Sequence, residues 1–478
     1  MTDSENHRFV LYHRRWLVLA SFSLLSCSSA WIWITWAPIA VYLANDLWDT
    51  SLSAVDDLSG VFMYVYVPGS FISLYLVVNH LGLRRGLILG GLLNSAGAAL
   101  RYAKFDDYRA VYIGTVICAL AQTFTLSTPP LIAGNWFGAN ERATATALGI
   151  LANQMGTAFG LGATTIIDVI DHSSGLLNKV ALSVYLKFQF AFSAMALLAL
   201  IIFSDDNPPT PPSVAALQNH DASQYDDKGR DNKKNPGTET TLLLSERSLI
   251  QDVGLSDKAE NQCIDTKRCH PSYLQSIQMV FQNVVTLAFI ACFGLTVGVY
   301  YTIPTFLSQI LPPSWSDRAV GWVGVVYQMV GVLGSFFAGR VLDVNRNHRT
   351  MALWCLGLTL VFLVLFLIGT EASGFVHSSW ATVGAIGLAG VCLSAFNTVG
   401  VELGTSITYP ADEAAIAGIL ESAAELSGFL WVSIGGYIGD YNGSKTQTTR
   451  QIIAMLALCV LISFTILSSI RMDPRRPT

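Results

Sequence analysis

Twelve apolar stretches, six on each side of a polar segment at residues 205–274, constrain this chain more than any motif. The chain has 478 residues, of which 52% are hydrophobic and only 13% charged, with a mean hydropathy of +0.47. Soluble domains carry about 25% charged residues, so a water-soluble core cannot absorb so many apolar spans. In a bilayer each spanning backbone closes its hydrogen bonds within its own helix. The expectation is an all-α polytopic membrane protein with twelve transmembrane helices in 6+6 pseudo-symmetric bundles. A six-helix bundle is expected over 1–204, a disordered cytosolic linker over 205–274 and a second bundle over 275–478.

The first six spans are expected near 16–43, 57–78, 86–103, 110–133, 143–168 and 183–204. The second six fall near 280–308, 319–339, 350–370, 380–405, 413–438 and 449–470. The stretch from Trp16 runs far past a signal h-region, so the first span is expected to stay in the protein. Short-loop Lys and Arg set orientation. Arg8, Arg14, Arg15, Arg84, Arg85, Arg142, Arg340, Arg346, Arg349, Arg471, Arg475 and Arg476 fall on one side. They outnumber Arg101, Lys104, Arg109, Arg318 and Lys445 on the other, so both termini are expected in the cytosol. The sequon Asn442-Gly-Ser444 then faces outward.

The segment opening with Asn207-Pro-Pro-Thr-Pro-Pro212 is too polar to build a core. Within it, Glu239-Thr-Thr-Leu-Leu-Leu244 has the acidic-dileucine form of an endosomal or vacuolar sorting signal, against a plasma-membrane default. The net charge of −5 mainly reflects this linker and gives no reason to expect nucleic acid. The eight cysteines show no metal-site spacing, and no metal or cofactor is expected. No His-rich motif, nucleotide loop or nucleophile elbow is present, so an enzyme is not expected.

The halves echo each other. Phe137-Gly-Ala-Asn-Glu141 precedes span five and Tyr409-Pro-Ala-Asp-Glu413 precedes span eleven. The loop at Asn79-His-Leu-Gly-Leu-Arg84-Arg85 likewise faces Gly339-Arg340-Val-Leu-Asp343-Val-Asn-Arg346. These basic loops, with Arg84, Arg85, Arg340 and Asp343, resemble the conformational signature of the major facilitator superfamily, with Asn79 where that family usually has Asp.

Ionisable groups inside spans are functional candidates by default. Glu421 and Glu425 lie four residues apart in span eleven, about 40° from each other around a helix. Ala414, Ala417, Gly418 and Gly428 share their face, while Ile416, Ile419, Leu426 and Leu430 lie opposite. Two carboxyls this close in low dielectric hinder each other's ionisation, which makes them proton-coupling candidates; the plainer reading is a structural hydrogen-bonded pair. In span five, Gln154 shares a face with Ala143, Ala147 and Ala158, and Gly156-x-x-x-Gly160 forms a close-packing surface. Gln154 is either interhelical glue or a substrate contact. Span one carries Trp31, Trp33 and Trp36 too deep for belt anchors, and span seven carries Tyr300 and Tyr301 before Pro304. Aromatic faces and buried carboxylates together favour an organic cation. Glu402, Asp56, Asp57, Asp168 and Asp171 read as interface residues, with Glu402 the exception to watch.

Arg14-Arg-Trp-Leu-Val-Leu19, Ile117-Cys-Ala-Leu-Ala-Gln122, Trp136-Phe-Gly-Ala-Asn-Glu141, Asn153-Gln-Met-Gly156, Val401-Glu-Leu403 and Thr408-Tyr-Pro410 resemble the feline leukaemia virus subgroup C receptor-related transporters, the solute carrier 49 family. The resemblance spans both halves and fails only in the linker. It implies transport of choline and ethanolamine in one branch, with haem export also claimed, and vitamin B6 in another. It implies an ammonium held by Trp33 and Tyr301, with Gln154 at a family glutamine. Glu425 stands where that branch has Gln and Glu421 where it has Asn, so the resemblance implies a different cation or proton coupling. Haem ranks lower, because its iron usually wants an axial His, Cys, Met or Tyr, every histidine falls in a loop or terminus, and a dianionic porphyrin would meet two carboxylates. The expected protein is a monomeric alternating-access transporter of a small-molecule cation, with Trp33, Gln154, Tyr301, Glu421 and Glu425 around a midplane site. A non-transporting receptor or nutrient sensor on the same scaffold is the alternative from another class.

Overall fold

The computed structural model describes residues 11–138, 141–163, 165, 167, 179–210, 273–311, 315–345, 347–371, 379–408, 411, 413–441 and 445–470. The linker at 211–272, with its dileucine and Cys263 and Cys269, lies outside them, as do Asp168, Asp171 and the sequon. The first half comprises α1 (Arg14–Ile34), α2 (Leu52–Leu76), α3 (Gly82–Ala103), α4 (Tyr108–Gln122), α5 (Pro129–Trp136), α6 (Arg142–Leu161) and α7 (Lys179–Phe203). The second comprises α8 (Tyr273–Gln282), α9 (Val284–Thr305), α10 (Asp317–Asn345), α11 (His348–Glu371), α12 (Ser379–Thr408), α13 (Glu413–Tyr441) and α14 (Lys445–Ser469).

Local chemistry sets several of these ends. Ser51 caps α2 by accepting the Ala54 N–H at 3.2 Å, and Asp107 and Asn283 cap α4 and α9 in the same way. Pro38, which lacks an N–H, turns the end of α1 into a 3₁₀ turn at Ala37–Ile39, after which helical backbone continues to Leu47. Pro304 is followed by the end of α9 at Thr305 and a single further turn, Leu307–Ile310. Gly82 turns the chain from α2 into α3 at φ +74, where a Cβ would meet the Asp206 carboxylate at 2.6 Å.

Helices occupy all twelve expected span positions. Among the described residues, nine spans are long and apolar enough to cross a membrane by length and composition alone. The three others fall short for visible reasons. α3 carries Arg84, Arg85, Arg101 and Asn94; α6 is rich in Ala, Gly and Thr; and the expected span at 110–133 is broken at Thr123–Thr128 before Pro129 and Pro130. One helix was not anticipated: α8 precedes α9 and packs on both α9 and α13.

Packing repeats across the halves. α1 rests on α6 and α7, α3 on α4 and α7, and α2 on α4. Six spans later, α9 rests on α13 and α14, α11 on α12 and α14, and α10 on α12. Exchanging each helix for its counterpart converts one set into the other. The halves meet along α2–α13 and α6–α10, which the same exchange also interconverts. This is the packing a duplicated six-helix unit requires.

Candidate substrate site

Small residues bring the site helices together. On α6, a Cβ at Gly156 would fall 2.0 Å from the Cys27 carbonyl oxygen of α1, and one at Gly160 would fall 2.4 Å from Ile34. The expected Gly156–Gly160 surface is therefore a backbone-to-backbone contact. On α9, a Cβ at Gly294 would meet the Ala423 carbonyl of α13 at 2.8 Å, and one at Gly298 would meet Ser427 at 2.7 Å. These approaches leave α1, α6, α9 and α13 presenting side chains to a common centre.

All five expected site residues gather there, linked through Tyr300 and Tyr301. The Trp33 and Tyr301 rings meet edge-on across the halves, centroids 5.9 Å apart at 82°, and the Trp33 indole donates to the Ser59 carbonyl at 3.3 Å. The Tyr301 hydroxyl donates to the Glu421 carboxylate. The Tyr300 hydroxyl donates across the halves to Gln154 Oε1 at 3.2 Å and accepts from Gln328 Nε2 at 2.8 Å. The Tyr327 hydroxyl donates to the Tyr300 carbonyl and its ring stacks on that of Tyr300. Gln154 is thus glue between halves in this conformation. Glu421 is partly exposed, whereas Glu425 is 4% exposed and its Oε2 has no hydrogen-bond partner among the described residues.

The α13 wheel divides nearly as expected. Leu426 and Leu430 face outward, while Ile416 and Ile419, expected with them, are buried against α9 and α12. A Cβ at Gly418, one turn before Glu421, would meet nothing within 4 Å, whereas one at Gly428 would touch Met63 of α2 at 3.0 Å. The acidic face therefore has room for a Cβ at buried Gly418 and none at Gly428, and between them the Ser422 hydroxyl meets Ser70 of α2 at 3.1 Å across the halves.

Contacts between the halves continue from this centre towards the end where α2 begins and α9 stops. Tyr64 and Phe429 meet with ring centroids 5.1 Å apart, and Ser308 donates to the Ala37 carbonyl at 3.1 Å. Gln309 Nε2 donates to Asp56 Oδ2 at 2.7 Å. At the other end, the ion pairs Arg14–Asp205, Arg15–Glu141 and Arg84–Asp205 stay within the first half. The echo motif has a structural job there: Glu141 holds Arg15 while Phe137 packs edge-on against Trp16.

Several expectations need correction. Asp56 is not an interface residue but 2% exposed inside the contact between halves, because it lies one turn into α2 on the side facing Gly436 of α13. Arg101 is not a loop charge: it is 1% exposed in α3, donates to the Ile32 carbonyl and lies over the Trp36 ring at 4.6 Å. Glu402, the watched exception, is exposed on α12. Arg84 and Arg85 sit in the first turn of α3, which begins at Gly82, and Arg340 and Asp343 in the last turns of α10, which continues to Asn345. Arg84 donates to Asp205 and to the Ile201 carbonyl, Arg85 and Arg340 are exposed, and the Asp343 side chain lies outside the described residues. Trp31 and Trp36 pack in the first-half core.

Sequence reasoning passed over Gln328 and Met63. Gln328 could have been found as a lone amide in the apolar run of α10; Met63 carries no such signal. Among the described residues no His, Cys, Asp and Glu cluster suits a metal, and the six described cysteines are free and buried.

The family model for the Major Facilitator Superfamily matches residues 16–313 and 284–478. The chain is 26% identical over 473 residues to the choline/ethanolamine transporter flvcr2a of Danio rerio, covering 98% of this chain and 88% of the relative. It is 26% identical to the choline/ethanolamine transporter FLVCR2 of Rattus norvegicus, over 90% of this chain and 70% of the relative. It is 27% identical to the choline/ethanolamine transporter FLVCR1 of Felis catus, over 88% of this chain and 67% of the relative. Matched along both halves, and with both halves packed alike, the chain belongs to the Major Facilitator Superfamily.

Proposed function

We propose that this multi-pass membrane transporter carries a small organic cation of the choline/ethanolamine type by alternating access. The observation that carries the reading is the meeting of Trp33 with Tyr301 beside Glu421 and Glu425, where a ring of the first half meets a ring and two carboxylates of the second. Ring quadrupoles attract an ammonium, and a carboxylate supplies the counter-charge in a medium where an unpaired charge is costly. The relatives named for choline and ethanolamine support the same class. A porphyrin dianion is disfavoured by the two carboxyls, and His13, His80 and His348 stand at helix ends away from the centre.

With both termini in the cytosol, the contact through Asp56, Gln309, Ser308 and Ala37 lies on the outer side. The conformation is then closed outward. Transport exchanges these contacts for others at the cytosolic end as the two six-helix bundles, joined by the 205–274 linker, rock about the centre. Parting the Tyr300–Gln154 and Tyr301–Trp33 contacts would let Gln154 and Trp33 turn to substrate.

The test is saturable uptake of labelled ethanolamine and choline into proteoliposomes holding the purified chain, with protein-free vesicles as control. Saturable flux of either supports the carrier reading and its cationic substrate. Binding without flux would favour a sensor on the same scaffold, and the absence of both would refute the cation assignment.

A further inference from the structure

The two carboxylates of α13 are not equivalent. Glu421 already accepts the Tyr301 hydroxyl, so one of its acceptor positions is filled by the protein. Glu425 is 4% exposed, and its Oε2 finds no donor among the described residues. The Ser422 hydroxyl, one turn before it, is held by the Gly418 carbonyl and Ser70. Both carboxylates lie within electrostatic reach of the Tyr301 phenol, whose single proton is committed to Glu421. One turn further along the same stripe, Gly428 faces the Met63 thioether and Tyr301 Cβ, neither of which donates. The ion pairs of Arg14, Arg15 and Arg84 are at the terminal end of the helices and do not reach it. A buried acceptor left unmade is expensive, and a charged one more so.

We infer that Glu425 makes this site select ammonium ions that carry N–H donors over quaternary ones. The inference rests on the cation-carrier reading and adds a preference within it. Aromatic faces attract both kinds of ion through charge, so Trp33 and Tyr301 do not separate them. A carboxylate oxygen does. A primary ammonium places an N–H on the free Oε2, while a quaternary ammonium has no N–H and its methyl groups hold the charge away. A site built to satisfy a hydrogen bond rejects the analogue that lacks it, because the buried partner is then stranded.

The experiment is a methylation ladder at constant charge: ethanolamine, N-methylethanolamine, N,N-dimethylethanolamine and choline. Each is titrated against the purified full chain, with affinity read by calorimetry and folding checked by thermal shift. Affinity should fall most at the last step, where the final N–H is lost, and choline should bind roughly tenfold or more weakly than ethanolamine, the scale of a charge-assisted hydrogen bond. In Glu425→Gln the ethanolamine-to-choline ratio should shrink, and in Glu425→Met it should approach one. Because both ligands lose the same charge attraction in these variants, the ratio isolates the hydrogen bond. Choline binding as tightly as ethanolamine to the unaltered chain would overturn the inference and leave the carrier reading standing, as would a ratio unchanged in Glu425→Gln. Failure of all four amines to bind would overturn both.

Discussion

The α1–α6 contact and its counterpart six spans later, α9–α13, use the same packing and different chemistry. In the first, glycines on the later helix, Gly156 and Gly160, receive the backbone of the earlier one; in the second, Gly294 and Gly298 on the earlier helix receive the later. Either way two helices approach until backbone meets backbone. The side chains projecting from these contacts are neutral in the first half, Trp33 and Gln154, and acidic in the second, Glu421 and Glu425 with Tyr301. A duplicated frame therefore tolerates asymmetric charge, because close approach depends on the absence of Cβ atoms and not on the polar groups beside them. The frame is shared; the two carboxylates are carried by one side.

The largest effect should come from the frame. Gly156→Ala places a Cβ against the fixed Cys27 carbonyl and should destabilise the fold by about 1–3 kcal/mol or more, the range for overpacking. Gly418→Ala, with nothing within 4 Å, should leave the melting temperature nearly unchanged. Equal melting temperatures would mean that α1 and α6 are not so closely packed. Next comes the charge. Glu421→Gln should weaken a cationic substrate by roughly tenfold or more, from the loss of a charged partner, while Gln154→Ala should lower affinity less. The reverse order, measured by equilibrium binding, would place the discriminating side in the first half.

A smaller loss is expected at the rings. Trp33→Ala should cost about 0.5–2 kcal/mol in cation binding, read as a several-fold rise in Kd, and normal affinity in both Trp33→Ala and Tyr301→Ala would dismiss the aromatic contribution. The least effect should come from Arg14→Ala. Its pair with Asp205 is half exposed, and such pairs contribute about 0–1 kcal/mol. A marked loss of uptake in that variant would show that the terminal end of the first half takes part in closure.

Sequence alone determined that this chain crosses a membrane repeatedly and that its halves are related. Apolar run length and the repeated Phe137–Glu141 and Tyr409–Glu413 motifs are properties of the chain read in order, and the bilayer rewards them wherever they fall. It also singled out Gln154, Glu421 and Glu425 as polar groups in apolar runs, whereas Trp33 and Tyr301 were set apart from the neighbouring aromatics only by the family resemblance. Only the tertiary structure decided what touches what. Asp56 and Arg101 looked like residues at span ends and are buried, since depth depends on the helix packed alongside and not on distance from a loop. Tyr300, not Tyr301, binds Gln154, and Tyr301 fills one carboxylate while Glu425 is left open. Those pairings join residues more than a hundred positions apart, and a hydrogen bond is set by a few tenths of an ångström across helices whose relative placement no single stretch of sequence encodes.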